Sequence, residues 1–338
     1  MGEDIPKTKC ALFWRAYKRL IVCIFVNCFV LCFAFVEPHY EGWLDFSHIN
    51  SSKHKGSGSF LVSDFHVKAD FFLGSNYKVY YNTSMISKNM EAYNELYLDI
   101  DNALFLPTNI MLGRFDVPFG LYYIDNYNDV FLRKSVIRSV YWGDAYLVPN
   151  LDTGVALYYD SRFFSLDFYV VNGEDKFKDI DYNRSGHSLG TDMRMRIRDF
   201  VDVGMSFYYN NSSTELAGGD NDGHIVVGTD SKFTIGEFDF LSEIVFATGK
   251  KDGSATGNIE SESVDGNGIH VSIVDHFSKN LDLGVDFSYF QDDSIYRRFL
   301  FIMVWKFSDD LKAVAEIFSE EVDGVNDNGL EFLIRVSF

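Results

Sequence analysis

The feature that most constrains this chain is a period of two residues, in which apolar and polar side chains alternate over about ten residues at a time. In residues 281–289 the odd positions are apolar or aromatic, and the even positions are Asp, Gly or Ser. The same arrangement recurs in residues 201–209 and, over shorter stretches, in 96–100 and 164–170. Because successive side chains of a β-strand point to opposite faces, this period predicts strands with one apolar and one polar face.

The alternating stretches are separated by turn residues, mainly Gly, Asn and Asp, and sixteen candidate strands follow from them. They lie near residues 41–49, 59–73, 76–86, 93–101, 108–115, 151–160, 162–171, 187–198, 201–210, 222–234, 235–248, 264–275, 280–290, 295–307, 309–319 and 328–338. An even number of this size is typical of a closed antiparallel barrel wide enough to enclose an aqueous channel. The predicted fold is therefore an all-β transmembrane antiparallel barrel of about sixteen strands.

Alternation alone does not separate a membrane barrel from a soluble sandwich, and three further features favour the barrel. The polar faces are rich in Gly, Ser, Asp and Tyr, and the mean hydropathy is close to zero, at −0.06. Aromatic pairs lie near predicted strand ends, as expected of the girdles that mark the two membrane interfaces. These pairs are Tyr158 with Tyr159, Phe163 with Phe164, Tyr208 with Tyr209, and Tyr289 with Phe290.

The third feature is the C-terminus, where positions 330, 332, 334 and 336 are all apolar and the last residue is Phe338. A terminal Phe that closes an amphipathic strand resembles the assembly signal of bacterial outer-membrane barrels. The other end of the chain agrees with export. Residues 15–19 are basic, and residues 20–36 are an apolar run broken only by Asn27.

This arrangement predicts a secretory signal peptide over residues 1–34, cleaved after Ala34, and a barrel over residues 35–338. An uncleaved anchor helix is the alternative, since 17 residues is the lower edge of a membrane span. All four cysteines lie in residues 1–34, so the remaining chain has neither disulfides nor thiolate metal sites.

The charge of the chain excludes another class of function. Residues 35–338 carry 25 Lys and Arg against 47 Asp and Glu, a net charge of −22, which repels nucleic acid. The acidic loops at 218–223, 260–265 and 323–329 do not fit the calcium-binding EF-hand spacing and are interpreted as solvated turns. No cofactor and no metal are expected.

Enzymatic motifs are also missing from the sequence. There is no Gly-x-Ser-x-Gly, His-Glu-x-x-His or Gly-rich phosphate loop. Asp275 and His276 are adjacent on a predicted strand and would point to opposite faces, while His66 and His270 are expected to stand isolated. The chain is therefore expected not to be an enzyme.

Residues 115–150 interrupt the alternation with a long aromatic segment that Pro118 and Pro149 bracket. Long loops of this kind are usually functional, and folding into the barrel would bury the aromatic rings and narrow the lumen. Asp116, Arg133, Lys134 and Arg138 are its candidate pore residues, since mixed charges at a constriction orient polar solutes. A solvated loop without a role in permeation is the alternative.

A second set of candidate pore residues is the row Arg194, Arg196 and Arg198, which alternates with Met193, Met195 and Ile197. An arginine facing lipid near the midplane would cost roughly 2–4 kcal/mol, so these side chains are expected to face the lumen. They form either a track for anions or ion pairs with acids on neighbouring strands. Arg114, at the corner between a strand and the long loop, is also expected to face the lumen.

Residues 111–120, Met-Leu-Gly-Arg-Phe-Asp-Val-Pro-Phe-Gly, resemble the signature of the phosphate-selective porin O/P-like family. Further similarity lies in residues 152–157, in residues 169–173, and in an acidic, Asn-containing loop that leads into the strand at 186–198. Together the resemblance covers residues 95–198. It implies a sixteen-stranded barrel, commonly a homotrimer, whose third loop folds inward as a constriction. It does not establish phosphate selectivity, and the net charge of −22 gives no overall bias toward an anion.

Together these observations predict a porin in the outer membrane of a Gram-negative bacterium, in contact with outer-membrane lipid and lipopolysaccharide. It would let small hydrophilic solutes or ions diffuse through, with weak cation preference or little preference. The alternative is a plugged structural barrel that acts in surface interactions and has no open pore.

Overall fold

The computed structural model describes residues 39–51, 60–73, 75–87, 94–103, 107–121, 141–142, 145–172, 184–185, 187–197, 200–211, 213–214, 223–251 and 262–337. The predicted leader, residues 1–34, lies outside these ranges, as does the middle of the long loop. Within the described ranges, no helix has the length and hydropathy needed to cross a membrane.

Sixteen antiparallel strands form one closed barrel, in which each strand pairs with the next one along the chain. The strands are β1 His39–Ser51, β2 Phe60–Phe72, β3 Tyr77–Ser87, β4 Asn94–Ile100, β5 Thr108–Asp116, β6 Leu151–Asp160, β7 Phe164–Val171, β8 Ser188–Ile197, β9 Val201–Asn210, β10 His224–Ile235, β11 Phe238–Lys251, β12 Glu262–Ser278, β13 Leu281–Gln291, β14 Ile295–Ser308, β15 Leu311–Val322 and β16 Val325–Ser337. β1 pairs with β16 over nine residues and closes the cylinder. The predicted fold class and strand count are confirmed.

Two short ladders lie outside the barrel sheet. Tyr141–Trp142 pairs with Ala145–Tyr146 between β5 and β6, and Arg184–Ser185 pairs with Ser213–Thr214 beside β8 and β9. The connections of the barrel differ in length at its two ends. At one end, here called the short-turn end, every turn has two to seven residues, whereas the connection from β5 to β6 at the other end has 34. That end also has two short turns, of three residues between β13 and β14 and of two between β15 and β16. Short turns on one side and longer loops on the other are typical of outer-membrane barrels.

Side-chain burial follows the predicted alternation. In β13 and in most of β9 the even positions are buried and the odd positions are exposed or half-buried. The even positions therefore point into the barrel, and the apolar odd positions point out. The outer surface that results is strongly apolar, with many exposed Phe, Leu, Ile, Val and Met side chains. A soluble protein rarely exposes a continuous apolar surface of this extent, because water makes it unfavourable.

An aromatic girdle lies on this outer surface at the short-turn end. Its exposed members lie in the turns or in the residues next to them, and they are Tyr77, Phe238, Phe277 and Phe307. The aromatic pairs proposed from the sequence are divided by the alternation: Tyr208 and Phe290 are buried inside the barrel, whereas their neighbours Tyr209 and Tyr289 are half-buried on the outside. One member of each of these two pairs can therefore face an interface.

Candidate pore and its constriction

The chain enters the lumen directly after β5. Residues 117–121, here called the inward strap, include Val117, Phe119 and Leu121, and all three side chains are completely buried. The backbone N–H of Val117 donates to the carbonyl oxygen of Asn150 at 2.9 Å, which fixes the point where the strap leaves the wall. The start of the predicted constriction loop thus lies inside the barrel.

The strap is held on both sides of Gly120. Its N–H donates to the Ser206 Oγ at 2.9 Å, and its carbonyl oxygen accepts from the Arg194 Nη2 at 2.7 Å. Gly120 has a backbone φ of 65°, a conformation that residues with a side chain rarely adopt. A Cβ built at this position would collide with the Glu243 carboxylate. Glycine is therefore the residue that lets the strap backbone approach the wall this closely.

Arg194 lies in a nest of carboxylates and is only 3% exposed. Its Nη1 lies 2.9 Å from Asp230 Oδ1 and 3.4 Å from Asp202 Oδ1, and its Nε lies 3.1 Å from Asp192 Oδ2. A second contact, from Nη2 to Asp230 Oδ2 at 3.2 Å, makes the Asp230 pair bidentate. Such fork-shaped pairing is stronger and more directional than a single contact.

The neighbouring strands make room for this nest. Gly204 is the register partner of both Arg194 and Asp230, and a Cβ at Gly204 would collide with the Asp230 carboxylate. Ser206 joins the nest to the strap, because its hydroxyl donates to Asp192 at 2.5 Å while accepting from Gly120.

Arg196, two residues further along the same face, has a different environment. It is 36% exposed, with its Nη1 2.6 Å from Asp160 Oδ1 and its Nε 3.8 Å from Asp202 Oδ2. Nearer the short-turn end, Lys232 pairs with Asp239 at 3.2 Å and Lys306 with Asp282 at 2.6 Å. These cations alternate with acids around the mouth of the lumen.

The apolar side chains of the strap pack against two different parts of the wall. Phe119 lies over Gly228, where a Cβ would come within 3.0 Å of the ring. Leu121 belongs to a buried cluster with the inward side chains of β14, β15 and β16, among them Leu300, Ile302 and Val304. β14 is therefore apolar on both faces, since Phe299 and Phe301 point outward. This departs from the expected polar inner wall.

A buried polar cluster that the sequence did not suggest lies on β12 and β13. His270, expected to stand isolated, is hydrogen-bonded through its Nε2 to Asp286, and the Ser272 hydroxyl lies 2.9 Å from the same nitrogen and 2.7 Å from Asp286 Oδ2. In a catalytic triad the acid and the serine use opposite ring nitrogens. This cluster is therefore arranged as a structural network rather than as a nucleophile with its base.

The structure describes four of the eight residues proposed for the pore. Arg194 and Arg196 are on the inward face of β8, and Asp116 ends β5 at the start of the strap. Arg114 was expected to face the lumen. Its register partners are Leu96 and Thr153, two exposed residues that point outward, so Arg114 is on the outward face of β5 instead. The other four, Arg133, Lys134, Arg138 and Arg198, lie outside the described residues.

The closed sixteen-stranded barrel with a segment folded into its lumen is the porin fold. No family model matches the sequence, and no curated protein matches it either. Solved structures resemble it in fold. The anion-selective porin from Comamonas acidovorans superposes with a TM-score of 0.68 at 10% identity, covering 90% of this chain and 100% of that one.

Two further outer-membrane proteins superpose over the same share of the chain. The channel DcaP of Acinetobacter baumannii gives a TM-score of 0.65 at 11% identity, with 90% of this chain and 98% of that chain covered. Salmonella typhi OmpF, in a complex with daunomycin, gives 0.63 at 12% identity, with the same coverage. At such identities the likeness establishes the fold.

Proposed function

We propose that this chain is a diffusion channel of the bacterial outer membrane, through which small hydrophilic solutes or ions pass. The observation that carries the proposal is the combination of an apolar outer surface, a largely polar inner surface and a strap that narrows the lumen. The apolar surface suits lipid, and the polar groups inside suit water and dissolved ions.

The buried charges of the lumen support a preference for cations. Among the described residues, eleven carboxylates but only two guanidinium groups are buried, and the strand register turns all of them inward. Charges of one sign that line a low-dielectric passage concentrate ions of the other sign. We therefore expect weak cation preference, with Arg196 and its acidic neighbours as the groups that set it. From the resemblance of residues 95–198, we also propose that the chain is related to the phosphate-selective porin O/P-like family, without proposing phosphate selectivity.

The proposal includes the location and assembly of the protein. Residues 1–34 act as a signal peptide cleaved after Ala34, and the barrel sits in the outer membrane among lipid and lipopolysaccharide. It assembles as a homotrimer. The intact mass of the protein recovered from outer membranes tests the cleavage site, and cross-linking there tests the trimer.

Planar-bilayer recording is the decisive experiment for the channel itself. The purified barrel should produce stepwise currents, and the reversal potential in a tenfold potassium chloride gradient should have the sign of cation preference. A bilayer that stays silent after insertion has been verified would contradict the channel.

That silent outcome would favour a plugged barrel that acts in surface interactions. One observation supports this second candidate: the strap and the inner faces of β14–β16 form buried apolar clusters that occupy part of the lumen. Uptake of dyes of graded size into proteoliposomes would then be absent at every size.

A further inference from the structure

Arg194 and Arg196 are the same residue type on the same inward face of β8, yet their surroundings differ. The guanidinium of Arg194 is surrounded by Asp192, Asp202, Asp230 and the Gly120 carbonyl, and it is 3% exposed. That of Arg196 is 36% exposed. Three carboxylates close to one guanidinium cancel its field at short range, so a passing anion would meet little net positive charge at Arg194.

The contacts of Arg194 point to a mechanical role. Of the hydrogen-bond and ion-pair partners of Arg194, Gly120 is the one that belongs to the strap, and the others belong to the wall strands β8, β9 and β10. On the other side of the same glycine, the N–H is held by Ser206, which is itself fixed by Asp192. The strap is thus held at a single residue, Gly120, through both its N–H and its carbonyl oxygen.

Packing around the fastening leaves little freedom for another position. Phe119 is completely buried over Gly228, and Leu121 is completely buried in the cluster of β14–β16. The backbone between them passes close to the Glu243 carboxylate, and the φ of 65° at Gly120 would strain any residue that has a Cβ. A strap held in this way is fixed in position relative to β8, β9 and β10.

We propose that Arg194 is a positioning residue, which latches the inward strap to the wall and thereby sets the width of the constriction, without selecting ions by its own charge. Its electrical test relies on the proposed channel function, whereas the latch itself can be measured without conduction.

The electrical experiment compares two variants, Arg194→Lys and Arg297→Lys, in planar bilayers; Arg297 is 52% exposed on the outward series of β14 and serves as the control. Lysine keeps the positive charge but lacks the planar fork that holds Asp230 and the Gly120 carbonyl together. R194K should therefore increase both the open-channel current noise and the unit conductance, with the reversal potential unchanged. R297K should behave as the wild type in conductance and noise. If R194K conducts with wild-type steps and noise while Arg194→Gln shifts the reversal potential toward cations, the latch is wrong and Arg194 is a selectivity residue.

The independent experiment is hydrogen–deuterium exchange of the folded barrel, read by mass spectrometry. Peptides covering residues 117–121 should exchange about tenfold faster in R194K, and also in Ser206→Ala, which removes the other contact without changing the charge. Peptides of β13 serve as the internal control and should not change. Unchanged exchange in the strap of both variants would overturn the latch, even in a channel that conducts. Faster exchange with a silent bilayer would support the latch and contradict only the channel.

Discussion

Lys306 and Lys312 are register partners on β14 and β15, so two positive side chains lie directly opposite each other at the short-turn mouth of the lumen. Like charges in this relationship destabilise a sheet. The carboxylate of Asp282 lies 2.6 Å from the Lys306 Nζ and 2.9 Å from the His276 Nδ1, and it is almost completely buried. This single carboxylate offsets part of the repulsion.

Replacing Asp282 with Asn should expose that repulsion. We expect D282N to lower the free energy of unfolding by roughly 1–3 kcal/mol, because a charge-assisted contact to Lys306 is lost. The reversal potential should move toward anions, since the mouth gains one net positive charge. Urea titration in lipid vesicles and bilayer recording measure the two effects. In the D282N background, Lys312→Gln should recover part of the stability; a double variant less stable than D282N would contradict the explanation.

Removing the ring of Phe119 tests whether the strap narrows the lumen. Replacing it with Ala should leave a cavity over Gly228, cost roughly 3–5 kcal/mol of stability and raise the unit conductance. Phe299→Ala is the matched control, because this ring is exposed on the outer face of β14. It should leave the conductance as in the wild type. Equal currents from both variants would mean that the strap does not narrow the passage.

Whether the outer surface faces lipid can be tested with arginine substitutions at two different depths in the bilayer. Met205 is exposed at the centre of β9, whereas Phe307 is exposed beside the turn between β14 and β15. Arginine at position 205 should destabilise the folded barrel in lipid by roughly 2–4 kcal/mol, and arginine at position 307 by about 0–1 kcal/mol. Equilibrium urea unfolding in vesicles gives both values. Equal costs at the two positions would argue against a lipid-facing belt.

The same belt predicts how residues 35–338 behave without lipid. In detergent micelles the chain should fold into a barrel that migrates differently on a gel before and after boiling. In plain buffer it should fail to form a soluble monomer, because the outward apolar face has no partner there. Circular dichroism and gel mobility are the measurements, and a monodisperse folded monomer in buffer would remove the basis for the membrane assignment.

The sequence predicts the strands well where one face is apolar and the other polar. β13 and β9 show this, and their inward and outward sides follow from the alternation alone. β14 shows the limit: Leu300, Ile302 and Val304 are as apolar as the residues between them, so the pattern locates the strand without indicating its inner face.

The constriction was predictable only in outline. The break in alternation at residues 115–150 indicates a long loop, and the spacing of Arg194 and Arg196 indicates their common face. The partners of Arg194 cannot be predicted in this way, since Asp230 is 36 residues away and Gly120 is 74 residues away along the chain. Such contacts depend on the size and register of the closed barrel, which single-strand patterns do not contain.

The barrel is closed only when β1 pairs with β16. Until the final strand is in place, the sheet has two open edges, and the backbone groups of His39–Ser51 have no ladder on one side. Unpaired edges invite pairing with other chains, so a partly exported or truncated chain is prone to aggregate. Closure of the cylinder therefore depends on the meeting of two strands, β1 and β16, that are almost 300 residues apart along the chain.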